Sequence, residues 1–285
     1  MELFNLWQTN LVAYLFFLIV FFQSYKLSVR SVKRDGTATV LLQLLASLSA
    51  IVLSLLFSYK FPTDPKIYLL LLVACIFYAI NDRFQTTARK NLQVSVYSII
   101  GQLANVFLII IGLTVFGDGF VPQKILGAGL ILFANIFLFF KKGSFKLNKY
   151  AWTAIAAAFF FSIAISTDIG ISRQFNLPFY IMLTFSIPSL FIFVFDKIKP
   201  GDIVREFNGQ NKSWYLITGV SWTLTTFFSL RAYQLSNVET IVPLGATSVL
   251  LNVLVAYFFL GEKSDGWKKI TAAIIVIIGI CLTVI

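Results

Sequence analysis

Long apolar runs and short polar breaks alternate along the whole chain. A helix crosses a bilayer core with about 20 mainly apolar residues. Ten runs of that kind can be drawn, at 6–26, 37–60, 66–88, 93–116, 122–141, 150–171, 178–196, 213–233, 238–260 and 267–285. The pattern predicts an all-α integral membrane protein with ten transmembrane helices. The longest break, from Asp196 to Lys212, holds Pro200, Gly201, Asn208 and Gly209. These residues favour turns, and the break leaves no room for a soluble domain. The first run has no basic stretch before it and no small-residue cleavage site after it, so it reads as a mature span and not as a signal peptide.

Several runs carry a polar stripe. Residues three or four apart share one face of a helix. Tyr78, Asn81, Asp82, Gln85 and Arg89 form such a face on the third run. Trp222, Thr225, Thr226, Ser229 and Tyr233 form one on the eighth. The fourth run adds Ser95, Ser98, Gln102 and Asn105, and the ninth adds Gly245, Ser248 and Asn252, a turn after Pro243. Lipid penalises polar faces, so these four should point inward and wall a substrate cavity. Interhelical hydrogen bonding is the plainer alternative. On the second run Gln43, Ser47, Ala50, Ser54 and Ser58 make a small, polar stripe that reads as close helix packing. So do Gly127, Gly129 and Ala134 on the fifth run and Ala272, Ala273 and Gly279 on the tenth.

Two of the acids within runs, Asp82 and Asp168, are candidates for a coupling role. Asp82 is a candidate for binding a cationic group or a coupling proton. An ion pair with Arg83 or Arg89, or snorkelling towards the interface, competes with that reading. Arg83 stands about 100° round the helix from Asp82, which makes pairing between these neighbours poor. Asp168 is a second coupling candidate, with an ion pair to Arg173 as the plainer reading. Asp118 and Glu262 sit at loop edges, where holding a helix end is the simpler role.

The two halves match without a gap at an offset of 144 residues. Phe84 aligns with Phe228, Ala88 with Ala232, Val94 with Val238 and Gly101 with Gly245. Gly117-Asp118 aligns with Gly261-Glu262, and Lys124 with Lys268. This predicts two five-span repeats, 1–144 and 145–285. Five is odd, so the second enters the membrane inverted, a common transporter design.

Composition agrees with a lipid solvent. Apolar residues make up 58% of the 285 positions and charged residues 12%, against roughly 25% charged in a soluble domain. The net charge of +11 comes from 23 basic and 12 acidic residues. The basic residues cluster between runs, which favours a role in orientation over nucleic-acid binding. Odd-numbered loops hold 17 of them, from Lys26 to Lys269, and even-numbered loops hold five: Lys60, Lys66, Lys124, Arg173 and Arg231. The positive-inside rule then puts odd loops in the cytoplasm and both termini outside. Cys75 and Cys281 lie within runs and read as packing residues, not as a disulfide. There is no histidine, so the commonest metal ligand and general base are missing.

The stretch from Ala232 to Ile285 resembles the C-terminal end of the EamA family in the drug/metabolite transporter superfamily. The carrying residues are Ala232-Tyr233-Gln234-Leu235, Pro243-Leu244, Leu260-Gly261-Glu262 and Gly279 in the last span. Phe116-Gly117-Asp118 followed by Gly127 is a degenerate copy in the first half. The resemblance implies a permease or exporter of small metabolites such as amino acids, with a central cavity between two EamA-like repeats and alternating access. Family members are usually described with both termini in the cytoplasm, opposite to the loop count. The small multidrug relatives carry a buried glutamate in their first span, whereas here no charge stands between Glu2 and Lys26.

The expected site is therefore a substrate cavity of Tyr78, Asn81, Asp82, Gln85, Gln102, Asn105, Trp222, Thr225, Thr226 and Asn252, with Asp82 and Asp168 as coupling candidates. Catalytic residues, metal and cofactor are not expected. The expected partners are a small-molecule substrate and the bilayer, without nucleic acid and with a homodimer left open. A bacterial inner membrane is the expected location. The alternative within the superfamily is a lipid-carrier flippase or a nucleotide-sugar-type carrier. Phosphate-bearing substrates would call for arginine or lysine deep in the cavity, and by the apolar runs only Arg83 sits clearly within a span.

Overall fold

The computed structural model describes residues 6–58, 60–116, 121–141, 144–145, 147–209, 211–236 and 238–284. The chain is almost entirely helical: α1 Trp7–Val29, α2 Asp35–Ser54, α3 Pro65–Asn91, α4 Val94–Gly101, α5 Leu103–Ile111, α6 Pro122–Phe139, α7 Lys149–Ile171, α8 Leu177–Phe195, α9 Pro200–Phe207, α10 Lys212–Leu235, α11 Val238–Phe259 and α12 Gly266–Val284. A two-residue hairpin pairs Phe140–Lys141 with Ser144–Phe145. Among the described residues, eight helical stretches are long and apolar enough to cross a membrane. The long helix α10 falls outside that set because Lys212, Thr218, Ser221, Thr223, Thr225, Thr226, Ser229 and Arg231 make it polar. Of α11, Leu244–Phe259 is a shorter apolar helix.

Large side chains such as Leu48, Leu69, Phe133, Leu190 and Phe258 are exposed on the outside of the bundle. That is the arrangement expected where lipid is the solvent. Inside, one apolar cluster joins α4, α6, α11 and α12 through Ile99, Ile100, Ile131, Val249, Val276 and Ile280. Another joins α1, α2, α8 and α10 through Tyr25, Leu42, Ile181, Tyr215 and Trp222. Each half packs against the other: α1 on α10, α3 on α7, α2 on α8 and α6 on α12.

Two departures from the apolar pattern have local causes. The expected fourth span is interrupted at Gln102, between α4 and α5, and closes in a π-helical turn at Gly112–Phe116. Gly101, beside the break, has no neighbouring atom where a side chain would stand. Gln102 and Asn105 bond to each other at 3.0 Å within this segment. The turn-rich break after Asp196 contains the short helix α9, started by Pro200. Proline suits a first helical turn because its missing N–H is unpaired there anyway.

The small-residue stripe on α6 and α12 is a close helix crossing. A Cβ on Gly279 would stand 2.8 Å from the carbonyl oxygen of Gly127, and one on Gly127 would collide with the carbonyl of Gly279. Gly129 faces open space and takes no part. On α2, Ser47 bonds to Ser186 of α8, and Thr223 of α10 donates to the Ala46 carbonyl at 2.6 Å.

The loops gather at two ends. At one, Arg34 donates to the Asp196 carbonyl at 2.8 Å, Asn211 donates to Ser31 at 2.7 Å, and Gln93 donates to Ser264 at 3.1 Å. This end therefore joins the breaks after α1, α3, α8 and α11, and is called the basic end below. At the opposite end the Asn176 side chain donates to the Ser58 carbonyl at 2.6 Å.

Candidate functional site

A cavity of about 310 Å³ lies between α1, α3, α4, α7, α8 and α10. Its polar wall is one face of α3. Tyr78, Asn81, Asp82, Gln85 and Arg89 all line it, as their spacing requires. Gln102, Trp222, Thr225, Thr226 and Ser229 line it from α4 and α10. Accessibility falls along its length. Tyr14, Gln102, Ile165 and Ser229 are partly exposed, whereas Asn81, Asp82, Gln85 and Arg89 are buried. The cavity is closed towards the basic end.

Asp82 is 3% exposed and held by three side-chain amides. Gln43 donates to one carboxylate oxygen at 2.7 Å, and Asn81 and Gln85 donate to the other at 2.8 and 2.7 Å. The polar stripe on α2, expected to be packing, thus contributes Gln43 to this acid. Arg83 turns away from the cavity and pairs with Asp196 at 2.6 Å. Neither arginine pairs directly with Asp82.

Arg89 is the residue that the apolar runs misassign. It shares a face with Asp82, yet it was counted among the loop cations. It is 5% exposed and belongs to the cavity wall. Its guanidinium carbon lies 4.9, 4.1, 4.8 and 4.2 Å from the ring centres of Phe21, Phe22, Tyr25 and Tyr97. Desolvated cation–π contacts are worth about 2 kcal/mol or more. Four of them compensate a burial that lipid would otherwise make costly. The Arg89 Nε donates to Gln85 Oε1 at 3.3 Å. Lys26 anchors the backbone beneath, donating to the carbonyls of Arg89, Lys90 and Leu92 at 3.0, 2.7 and 2.7 Å. The signal for this cage was present in span one, where Phe21, Phe22 and Tyr25 crowd the last turns.

Two expected cavity residues lie elsewhere. Asn105 lines a separate pocket with Lys124 and Val242. Asn252 is 1% exposed and accepts a 3.4 Å bond from Gln23 of α1, outside the cavity wall. The side chain of Asp168, like Asp118, is outside the described residues. Glu262 holds a helix end: its carboxylate accepts from the backbone N–H groups of Val94 and Ser95 at 2.6 and 3.1 Å, at the start of α4. Tyr180 and Thr184 of α8 also line the cavity and form no polar stripe in the sequence, since α8 is apolar over most of its length. Among the described residues no group of histidine, cysteine, aspartate or glutamate is placed to hold a metal.

The model of the EamA-like transporter family matches residues 148–285. No curated protein matches the chain. A solved structure described only as the crystal structure of a protein shares the fold, with a TM-score of 0.64 and 14% identity over 96% of this chain and 95% of that one. Residues 148–285 thus match the EamA-like transporter family of the drug/metabolite transporter superfamily, and the eight long apolar helices among the described residues mark the chain as an integral multi-pass membrane protein.

Proposed function

We propose that the chain moves a small metabolite, of the size of an amino acid, across a bacterial inner membrane by alternating access between two inverted five-span repeats. The observation that carries this reading is a single cavity, walled by helices of both halves and closed at one end. Ten spans follow if α10 and α11 cross the membrane with their polar faces turned inward. The repeat is supported by its junctions. The Leu92 N–H caps α3 on the Ala88 carbonyl at 2.8 Å, and the Ser236 N–H caps α10 on the Ala232 carbonyl at 3.0 Å. Both pairs stand 144 residues apart, and so do the first residues of α4 and α11, Val94 and Val238. The packing is exchanged in the same way, α1 on α10 being matched by α7 on α3.

In this reading the structure faces away from the basic end. Asp82 is the acid that would take a coupling proton or cation. Arg89 is the one observation in favour of a phosphate-bearing substrate, as in a nucleotide-sugar carrier. The volume opposes it, standing at the low end of the ~300–1,000 Å³ of ligand pockets.

The test is counterflow of labelled amino acids in proteoliposomes. Trp222→Phe, which keeps a ring in the core that Trp222 shares with Phe21 and Phe185, and Gln102→Ala should reduce transport about tenfold or more while leaving folding near normal, since both side chains line the cavity. Normal transport by both variants would remove the cavity from the pathway.

A further inference from the structure

We propose that Arg89 is the anion seat of the cavity and that its ligand carries one carboxylate on a compact apolar body. This rests on the cavity being the transport site. Arg89 is a buried cation with no carboxylate of the described residues at ion-pair distance. Aromatic faces hold its charge but offer no lone pair to its N–H groups. A guanidinium has five such donors; Gln85 takes one, at 3.3 Å, and the Tyr97 hydroxyl is placed to take another. The remaining donors lie in the wall of a cavity.

The facing wall repeats the pattern. The hydroxyls of Tyr180 and Thr225, on α8 and α10, are buried without a partner among the described residues. Both residues line the cavity. Buried polar atoms are normally paired, so these hydroxyls mark polar positions in the lining away from Arg89 that a bound ligand or water can fill.

The acid in the wall does not ask for an ammonium group. Three of the roughly four acceptor sites of the Asp82 carboxylate are filled by Gln43, Asn81 and Gln85. The rest of the lining is largely aromatic, including Phe21, Phe22, Phe161, Phe185 and Trp222. One guanidinium matches one carboxylate in a two-bond fork. A phosphate dianion or a dicarboxylate would set two charges against it.

The experiment measures the melting temperature of the detergent-purified full chain with four probes of similar shape: 3-phenylpropanoate, 3-phenylpropanamide, phenethylamine and phenylalanine. A ligand of the folded state raises that temperature in a dose-dependent way. The expected result is a shift with 3-phenylpropanoate, none with the amide or the amine, and no larger shift with phenylalanine. Arg89→Gln should abolish the shift, and Arg89→Lys should weaken binding about tenfold, because lysine cannot form the fork. The wild-type series decides the matter if either variant fails to fold. Stabilisation by the amide or amine but not the acid would overturn the carboxylate while keeping the cavity as a ligand site. An acid shift that survives in folded Arg89→Gln would overturn Arg89 as its seat. Absence of any shift at millimolar concentration would overturn both the proposal and the transport-site reading beneath it.

Discussion

At the scale of single residues, the cavity wall is an accounting of hydrogen bonds. Asp82 accepts from three amides and donates nothing, so its neighbours are arranged for a carboxylate. Asp82→Asn keeps the shape but turns an amide NH₂ towards amide donors, leaving at least one buried donor unpaired. Such a group costs about 1–3 kcal/mol. Asp82→Asn should therefore lower the melting temperature of the purified protein as well as any pH-driven transport. A wild-type melting temperature would mean that the three bonds do not hold this acid. Asp82→Glu is a useful control, since it restores the acceptors one methylene further out.

Between helices, contact distance outweighs side-chain chemistry. The α6–α12 crossing depends on two glycines whose backbones meet, the Gly279 position standing 2.8 Å from the Gly127 carbonyl. In membranes small residues permit such approach, and packing then replaces the hydrophobic drive available in water. Gly279→Ala would have to part the helices, at a cost of about 1–3 kcal/mol, the usual range for overpacking. Thermal unfolding in detergent should show it as a lower midpoint, with ligand-induced shifts preserved because the pair is remote from the cavity. Gly129→Ala meets open space and should leave the midpoint unchanged. Equal effects from the two substitutions would refute the crossing.

For the whole molecule, the question is which end opens. At the basic end Arg83 joins Asp196, Arg34 reaches Asp202 at 3.4 Å, and Lys90 holds Asp35 at 2.9 Å. The first two pairs tie α3 and the start of α2 in the first half to α8 and α9 of the second, and the third braces α3 against α2. Gln102 lines the cavity, is partly exposed and serves as a reporter. In a chain with Cys75 and Cys281 replaced, Gln102→Cys should react with impermeant reagent from the end opposite the basic loops. Adding Asp196→Asn removes one charge of the lock and should raise its reaction from the basic side several-fold, as the population shifts. An unchanged rate would show that these pairs do not gate. The same reagent fixes orientation. Lys33→Cys, in a basic loop, should react only after permeabilisation, and Lys66→Cys should react from outside. The reverse result would favour termini in the cytoplasm.

The sequence by itself determined the helix positions, the membrane as solvent and the face of α3 that carries Tyr78 to Arg89. These follow from local rules: a run must be long enough to cross lipid, and residues three or four apart must share a face. The interruption at Gln102 and the helix at Pro200 were less legible, because a polar residue in a span or a proline in a loop is compatible with several local outcomes. Tertiary structure alone decided which charges are inside. Arg83 and Arg89 stand near the same end of one helix, and hydropathy cannot separate them. Arg83 meets Asp196, more than a hundred residues away, and leaves the cavity. Arg89 meets Phe21, Phe22 and Tyr25 of α1 and Tyr97 of α4, and stays. The helical period puts both arginines on α3, but the helices that pack around α3 give one an ion pair and the other a cage of rings.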